Sequence, residues 1–178
     1  HTAREHGMQM RIVEAVEAVN ESQKHVLFDK LSKVFGGEDA LAGKTISVWG
    51  LAFKPKTDDM REAPSLVLIN SLLEAGCTVK AYDPVAMGEA RRRLADKPIV
   101  YCKDIYDATN DADALIVVTE WEEFRLPSWQ VIKKAMAGNV VIDGRNIYQP
   151  EDLTSVGLDY YNIGHKPCFA ADYKSRVD

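Results

Sequence analysis

Apolar residues along this chain follow two periods, and the change from one to the other divides it. Over 2–34 there is no proline and only Gly7, while Ile12, Val16, Val19, Val26, Leu27, Leu31 and Val34 recur at three- and four-residue spacing. That spacing predicts an amphipathic helix of about 30 residues, against a usual length nearer 12. Gly36-Gly37 ends it. A stripe of that length cannot be buried on its own turns, so the helix is expected to pack on a partner domain or a second subunit.

From Lys44 onward short apolar runs alternate with helical segments. Strands are predicted over 45–49, 78–82, 99–101, 114–118, 140–142 and 158–161. Helices are predicted over 64–75, opened by Pro64 and closed by Gly76, and over 86–94, 105–109, 129–136 and 150–155. Alternation with short connections implies a parallel sheet covered on both faces. Right-handed crossovers then give an α/β fold: a Rossmann-like doubly wound parallel sheet preceded by a long N-terminal helix. The division expected is 1–36 for the helix and 37–178 for the sheet domain.

Composition narrows the function classes. The 178 residues are 46% hydrophobic and 28% charged, enough for one core and too apolar for wholesale disorder. A net charge of −5 lacks the basic footprint of a nucleic-acid binder. No apolar run approaches the roughly 20 residues that span a bilayer, and the first ten residues have no signal-peptide core, so a soluble, cytoplasmic protein is expected. Cys77, Cys102 and Cys168 are far apart and form no C-x-x-C pair, as for incidental thiols in a reducing compartment. His1, His6, His25 and His165 have no metal-ligand spacing. The chain also begins inside the predicted helix, as expected of part of a longer protein.

In doubly wound sheets ligands bind at the carboxyl ends of the strands. After the first strand comes Gly50-Leu51-Ala52-Phe53, which is not G-x-G-x-x-G; the bulky Phe53 disfavours a close pyrophosphate cradle. The loop is long, and its Lys54, Lys56 and Arg61 either hold a phosphate together or belong to a solvated turn built on Asp58 and Asp59. Asp83 closes the second strand, where it caps the next helix or reads a ribose hydroxyl. Thr119 and Glu122 have the spacing of a capping box, with Trp121 and Phe124 as packing residues. Asp143-Gly144 forms a tight turn that sends Arg145 over the strand ends, to grip a ligand or to ion-pair with Asp143 or a neighbouring loop.

Taken in order, G-L-A-F-K-P-K-T-D-D-M-R-E-A-P at 50–64, Y-D-P at 82–84, A-D-A-L-I-V-V-T-E-W at 112–121 and D-G-R-N-I-Y at 143–148 closely resemble the C-terminal domain of the UDP-glucose/GDP-mannose dehydrogenase family. V-N-E-S-Q-K at 19–24 resembles the end of that family's central helix, which joins two Rossmann-like domains and builds the dimer. The T-E-W and D-G-R-N segments match the UDP-glucose branch better than the mannose or N-acetylmannosamine branches. The resemblance implies an enzyme that oxidises the C6 hydroxyl of UDP-glucose to a carboxylate with two NAD⁺. It further implies that Phe53 and Lys54 contact the sugar nucleotide and that Arg145 holds its uridine end. Arg61 would reach the NAD held by the other domain, and the helix would support a homodimer. The family's nucleophilic cysteine, in a G-G-S-C-F-P-K-D-type motif, has no counterpart among these residues, and neither has its glycine loop for NAD. No catalytic residue is therefore expected in this chain: it would bind, and catalysis would need further parts.

Two readings from other classes make distinct predictions. A phosphoacceptor domain of flavodoxin-like topology would use Asp104 and Thr119, but needs an acidic pair where Gly50-Leu51-Ala52 stands and a lysine where Gly144-Arg145 stands. A purely dimerising module would bind no nucleotide.

Overall fold

The computed structural model describes residues 11–172. Helix α1 (Arg11–Phe35) leads into β1 (Thr45–Trp49), α2 (Pro64–Glu74), β2 (Thr78–Tyr82), α3 (Met87–Arg93) and β3 (Ile99–Tyr101). A second run follows: α4 (Ile105–Thr109), β4 (Ala114–Val117), α5 (Trp129–Ala135), β5 (Val140–Asp143), α6 (Pro150–Thr154) and β6 (Asp159–Asn162). The six strands form one parallel sheet in the order β3-β2-β1-β4-β5-β6. This is the Rossmann order, with the reversal between β1 and β4. It is not the 2-1-3-4-5 order of flavodoxin-like domains, so the phosphoacceptor topology is set aside.

Burial on both faces explains why the central strands read as unbroken apolar runs: Ala114–Val117 and Val140–Asp143 are buried at every position. Each predicted strand and helix from 44 onward is present, with ends displaced by no more than one residue. Two short 3-10 turns, Glu38–Leu41 and Glu122–Phe124, were not foreseen. The predicted capping box is overturned: Trp121, not Thr119, precedes the Glu122 turn, and no side chain caps it.

The long helix is present over its described part, and residues 2–10 of the predicted helix lie outside the described residues. It ends as expected: the Gly37 N–H bonds Ser32 O (2.8 Å) and the Gly36 N–H bonds Lys33 O (3.3 Å), the paired bonds of a Schellman stop. The expectation that its stripe packs only on something else is corrected for the second half. Leu27, Phe28 and Leu31 are buried in the core of this same chain, against α2 and the sheet. Ile12, Val16 and Val19 remain exposed. Among the described residues no helix is long and apolar enough to cross a membrane, and no group of three or more potential metal ligands gathers.

Candidate functional site

The loops at the carboxyl ends of β1, β4 and β5 meet α1 around a cleft of about 530 Å³. Its walls include Phe53 after β1, Pro64 at the start of α2, Val118 after β4, Gly144 and Arg145 after β5, and Asn20, Lys24 and Leu27 of α1.

The β1 loop is held from several sides. Gly50 has φ +89°, and a Cβ there would lie 2.6 Å from Thr119 Cβ, so only glycine lets the β1 exit pass this close to the β4 exit. The buried Asp83 carboxylate then takes the next two amides: Oδ2 accepts from Leu51 N (2.7 Å), Ala52 N (3.1 Å) and Trp121 Nε1 (2.9 Å). Its Oδ1 accepts from Val85 N (2.9 Å) and Ala86 N (2.7 Å), just ahead of α3. Asp83 thus caps the turn ahead of α3 rather than the helix itself, whose N-cap is Ala86 with no side-chain cap, and it cannot serve as a ribose reader, because both oxygens are consumed. The amides that would cradle a pyrophosphate in a glycine-rich loop point inward at Asp83. A dinucleotide therefore does not fit this sheet in the usual position.

Further along, Phe53 N donates to Asp59 O (2.8 Å) and closes the loop. Asp59 is the turn former expected: its Oδ1 accepts from Arg61 N (2.9 Å), and its carboxylate takes Arg61 Nε (3.1 Å) and Nη2 (2.8 Å) side by side. That fork holds the Asp59 carboxyl down at about 2. Lys54 and Lys56 have no hydrogen-bond or ion-pair partner among the described residues, and neither they nor Arg61 line the cleft. The structure therefore does not gather these three cations at it.

The β5 loop is organised by its own aspartate. Buried Asp143 accepts from Arg145 N (2.9 Å) on Oδ1 and from Ile147 N (2.7 Å), Tyr148 N (3.2 Å) and the Tyr160 hydroxyl (2.9 Å) on Oδ2. Burial, with Asp143 close by, pushes the Tyr160 hydroxyl's pKa up, which keeps it a donor. A Cβ on Gly144 would lie 2.7 Å from Val117 O and 3.1 Å from the Leu27 methyls, so glycine here lets α1 close the cleft.

Arg145 extends into the cleft as expected. Its Nε donates to Val118 O (2.7 Å), and neither Nη donates a hydrogen bond among the described residues. Its ion-pair partner is Glu120 rather than Asp143: Glu120 Oε2 lies 2.9 Å away, off the N–H axis, and accepts no hydrogen bond. Asn146, at φ 54°, exchanges two 3.0 Å bonds with the Ile163 backbone, tying the loop to the exit of β6.

Sequence reasoning missed Lys24, Asn20 and Glu62 as cleft residues. Lys24 Nζ bonds Glu21 (2.8 Å) and Glu62 (2.6 Å), and these bonds raise its pKa. Glu62 adopts φ 56° to reach it. The signal available was helical spacing: Asn20, Lys24 and Leu27 lie three or four residues apart, on one flank of α1.

Fold and loops together define a Rossmann-type domain whose own dinucleotide cradle is closed and which opens a cleft beside a long helix. Residues 47–150 match the UDP-glucose/GDP-mannose dehydrogenase family, UDP binding domain, and the chain belongs to that family. A UDP-glucose 6-dehydrogenase of Pseudomonas aeruginosa is 43% identical over 92% of this chain and 36% of its own length. UDP-glucose 6-dehydrogenase TuaD of Bacillus subtilis is 40% identical over 91% of this chain and 34% of its own. Among solved structures, a UDP-glucose dehydrogenase from Pyrobaculum islandicum superposes with TM-score 0.73 at 31% identity, over 90% of this chain and 34% of that one. The chain thus spans about a third of the length of the relatives it matches.

Proposed function

We propose that this chain is the UDP-sugar-binding part of an NAD-dependent UDP-glucose 6-dehydrogenase. The observation that carries the reading is the cleft itself, which opens at the carboxyl ends of β4 and β5 with Phe53 and Arg145 in its walls. Phe53 offers an aromatic face, 49% exposed, and Arg145 offers two Nη groups for ribose or phosphate oxygens. Lys54, exposed beside Phe53, supplies a charge near the same ligand. Residues 1–36 serve as the end of a linking helix and 37–178 as the nucleotide-sugar domain. The exposed Ile12, Val16 and Val19 support homodimerisation.

NAD, when bound, supplies the hydride acceptor for oxidising the C6 hydroxyl to a carboxylate. It is held outside this sheet, whose inward-turned Leu51 and Ala52 amides leave it no cradle. Arg61 is the residue this chain offers toward it, exposed and oriented by the Asp59 carboxylate of its own loop. The chain's own work is binding and orientation.

Thermal unfolding with UDP, UDP-glucose, GDP and NAD⁺ tests the reading. Ligand at 100 times its dissociation constant adds about 2.7 kcal/mol, a rise of roughly 5–11 °C for a chain of this size. The expected result is a rise with the uridine compounds, lost in Arg145→Ala and Lys54→Ala. No rise with either uridine compound overturns the assignment, and a rise with GDP alone moves it to the mannose branch.

A further inference from the structure

Phe53 and Arg145 come from loops more than ninety positions apart in the chain, and one side chain stands between them in a path of hydrogen bonds. Thr119 is fully buried just after β4, and its hydroxyl donates to Ala52 O (2.6 Å), the carbonyl of the peptide that leads into Phe53. The carbonyl of the preceding residue, Val118, accepts the Arg145 Nε bond (2.7 Å). From Phe53 to Arg145 the path therefore runs through two hydrogen bonds and two peptide links, with Thr119 between them. The rest of the Leu51–Ala52 segment is already committed. Both amides go to Asp83, and Leu51 O accepts from Ser65 Oγ (2.5 Å). Every polar group of Leu51 and Ala52 is thus bonded to a side chain from the exits of β2 and β4 or from α2. Gly50, pressed against Thr119, lets the approach happen.

We infer that Thr119 is a positioning residue for nucleotide binding: it sets the distance between Phe53 and Arg145. This rests on the assignment of those two residues to the UDP-sugar. A hydroxyl spent only on stability would lower the melting temperature when removed and leave affinity alone once the protein is fully folded. A hydroxyl that sets a distance would change affinity as well.

The test is UDP affinity of the full chain by calorimetry, well below the melting transition of each variant. Thr119→Val keeps the shape and removes the hydroxyl; it is expected to bind UDP about tenfold more weakly. Thr119→Ser, which restores the hydroxyl, is expected to return affinity to within about twofold of wild type. Arg145→Ala separates the two claims. If wild type binds UDP, Arg145→Ala does not, and Thr119→Val binds like wild type, the positioning role is overturned and the site assignment stands. If wild type does not bind UDP, or Arg145→Ala binds it unchanged, the site assignment falls and this inference falls with it. Should Thr119→Val not fold, Thr119→Ala removes the same hydroxyl without adding bulk against Gly50: about tenfold weaker binding is expected, and unchanged affinity overturns the proposal.

Discussion

Asp83 and Asp143 stand at the ends of two strands, both buried, and among the described residues neither meets a cation. Each is satisfied by hydrogen bonds, Asp83 by N–H groups alone and Asp143 by N–H groups and the Tyr160 hydroxyl, and each shapes a wall of the same cleft. They differ in reach. Asp143 works mostly on its own loop, gathering the amides of Arg145, Ile147 and Tyr148 within five residues. Asp83 caps its own turn and also holds Leu51 and Ala52, more than thirty residues earlier, together with the Trp121 indole. One loop is thus specified by its local sequence, and the other only once the sheet has assembled.

The sharpest way to break this comparison is to replace each carboxylate by an amide. In Asp143→Asn the NH₂ can take the Oδ1 place against the single Arg145 N–H, leaving the amide oxygen for the other three donors. Asp83 has no such arrangement, because each oxygen faces at least two N–H groups. Chemical denaturation should show a loss of about 3 kcal/mol for Asp83→Asn and about 1 kcal/mol for Asp143→Asn. Equal losses would mean that the reach of Asp83 has no energetic consequence.

A smaller contrast lies in the left-handed residues of the two loops. Lys56 (φ 65°) has no partner for its side chain, so Lys56→Gly relieves strain and is expected to stabilise by about 0.5 kcal/mol. Asn146 (φ 54°) bonds the Ile163 backbone twice, so Asn146→Gly is expected to cost about 0.5 kcal/mol. Opposite signs in urea melts sharpen the comparison, and matching signs break it.

The smallest effect is on the titration of Asp59. Its carboxyl is held at about 2, below the ordinary 3.8, first by the Arg61 side chain and then by the Arg61 amide. A depressed carboxyl supports the folded loop above its ordinary pKa, and that support is lost as the pH falls through about 2. NMR titration of the carboxyl carbon should find this midpoint in wild type and one moved back toward 3.8 in Arg61→Ala.

The same difference in reach explains how much was legible. The strands, their order of appearance and the turn at Asp143-Gly144 were readable because apolar periods and turn residues act over a few positions. Arg145 over the strand ends followed from that turn. Asp83 offered two local roles, helix cap and ribose reader, and its hold on the β1 loop is neither; no local pattern announces a bond across two strands. Thr119 and Glu122 have the spacing of a capping box, yet the Thr119 hydroxyl goes to Ala52, a partner that only the β1–β4 pairing supplies. Lys24 was hidden for a related reason: it belongs to the flank of α1 that faces the cleft, beside a more conspicuous apolar stripe.

That helix has a consequence of its own. A single rod, α1, gives Asn20, Lys24 and Leu27 to the cleft and carries Ile12, Val16 and Val19 in the open, while Lys24 ties it to Glu62 on the opposite bank. Were the outer stripe covered and were a ligand to favour one tilt of the rod, each would shift the other's affinity by the same factor. Occupancy and association would then be two readings of one lever.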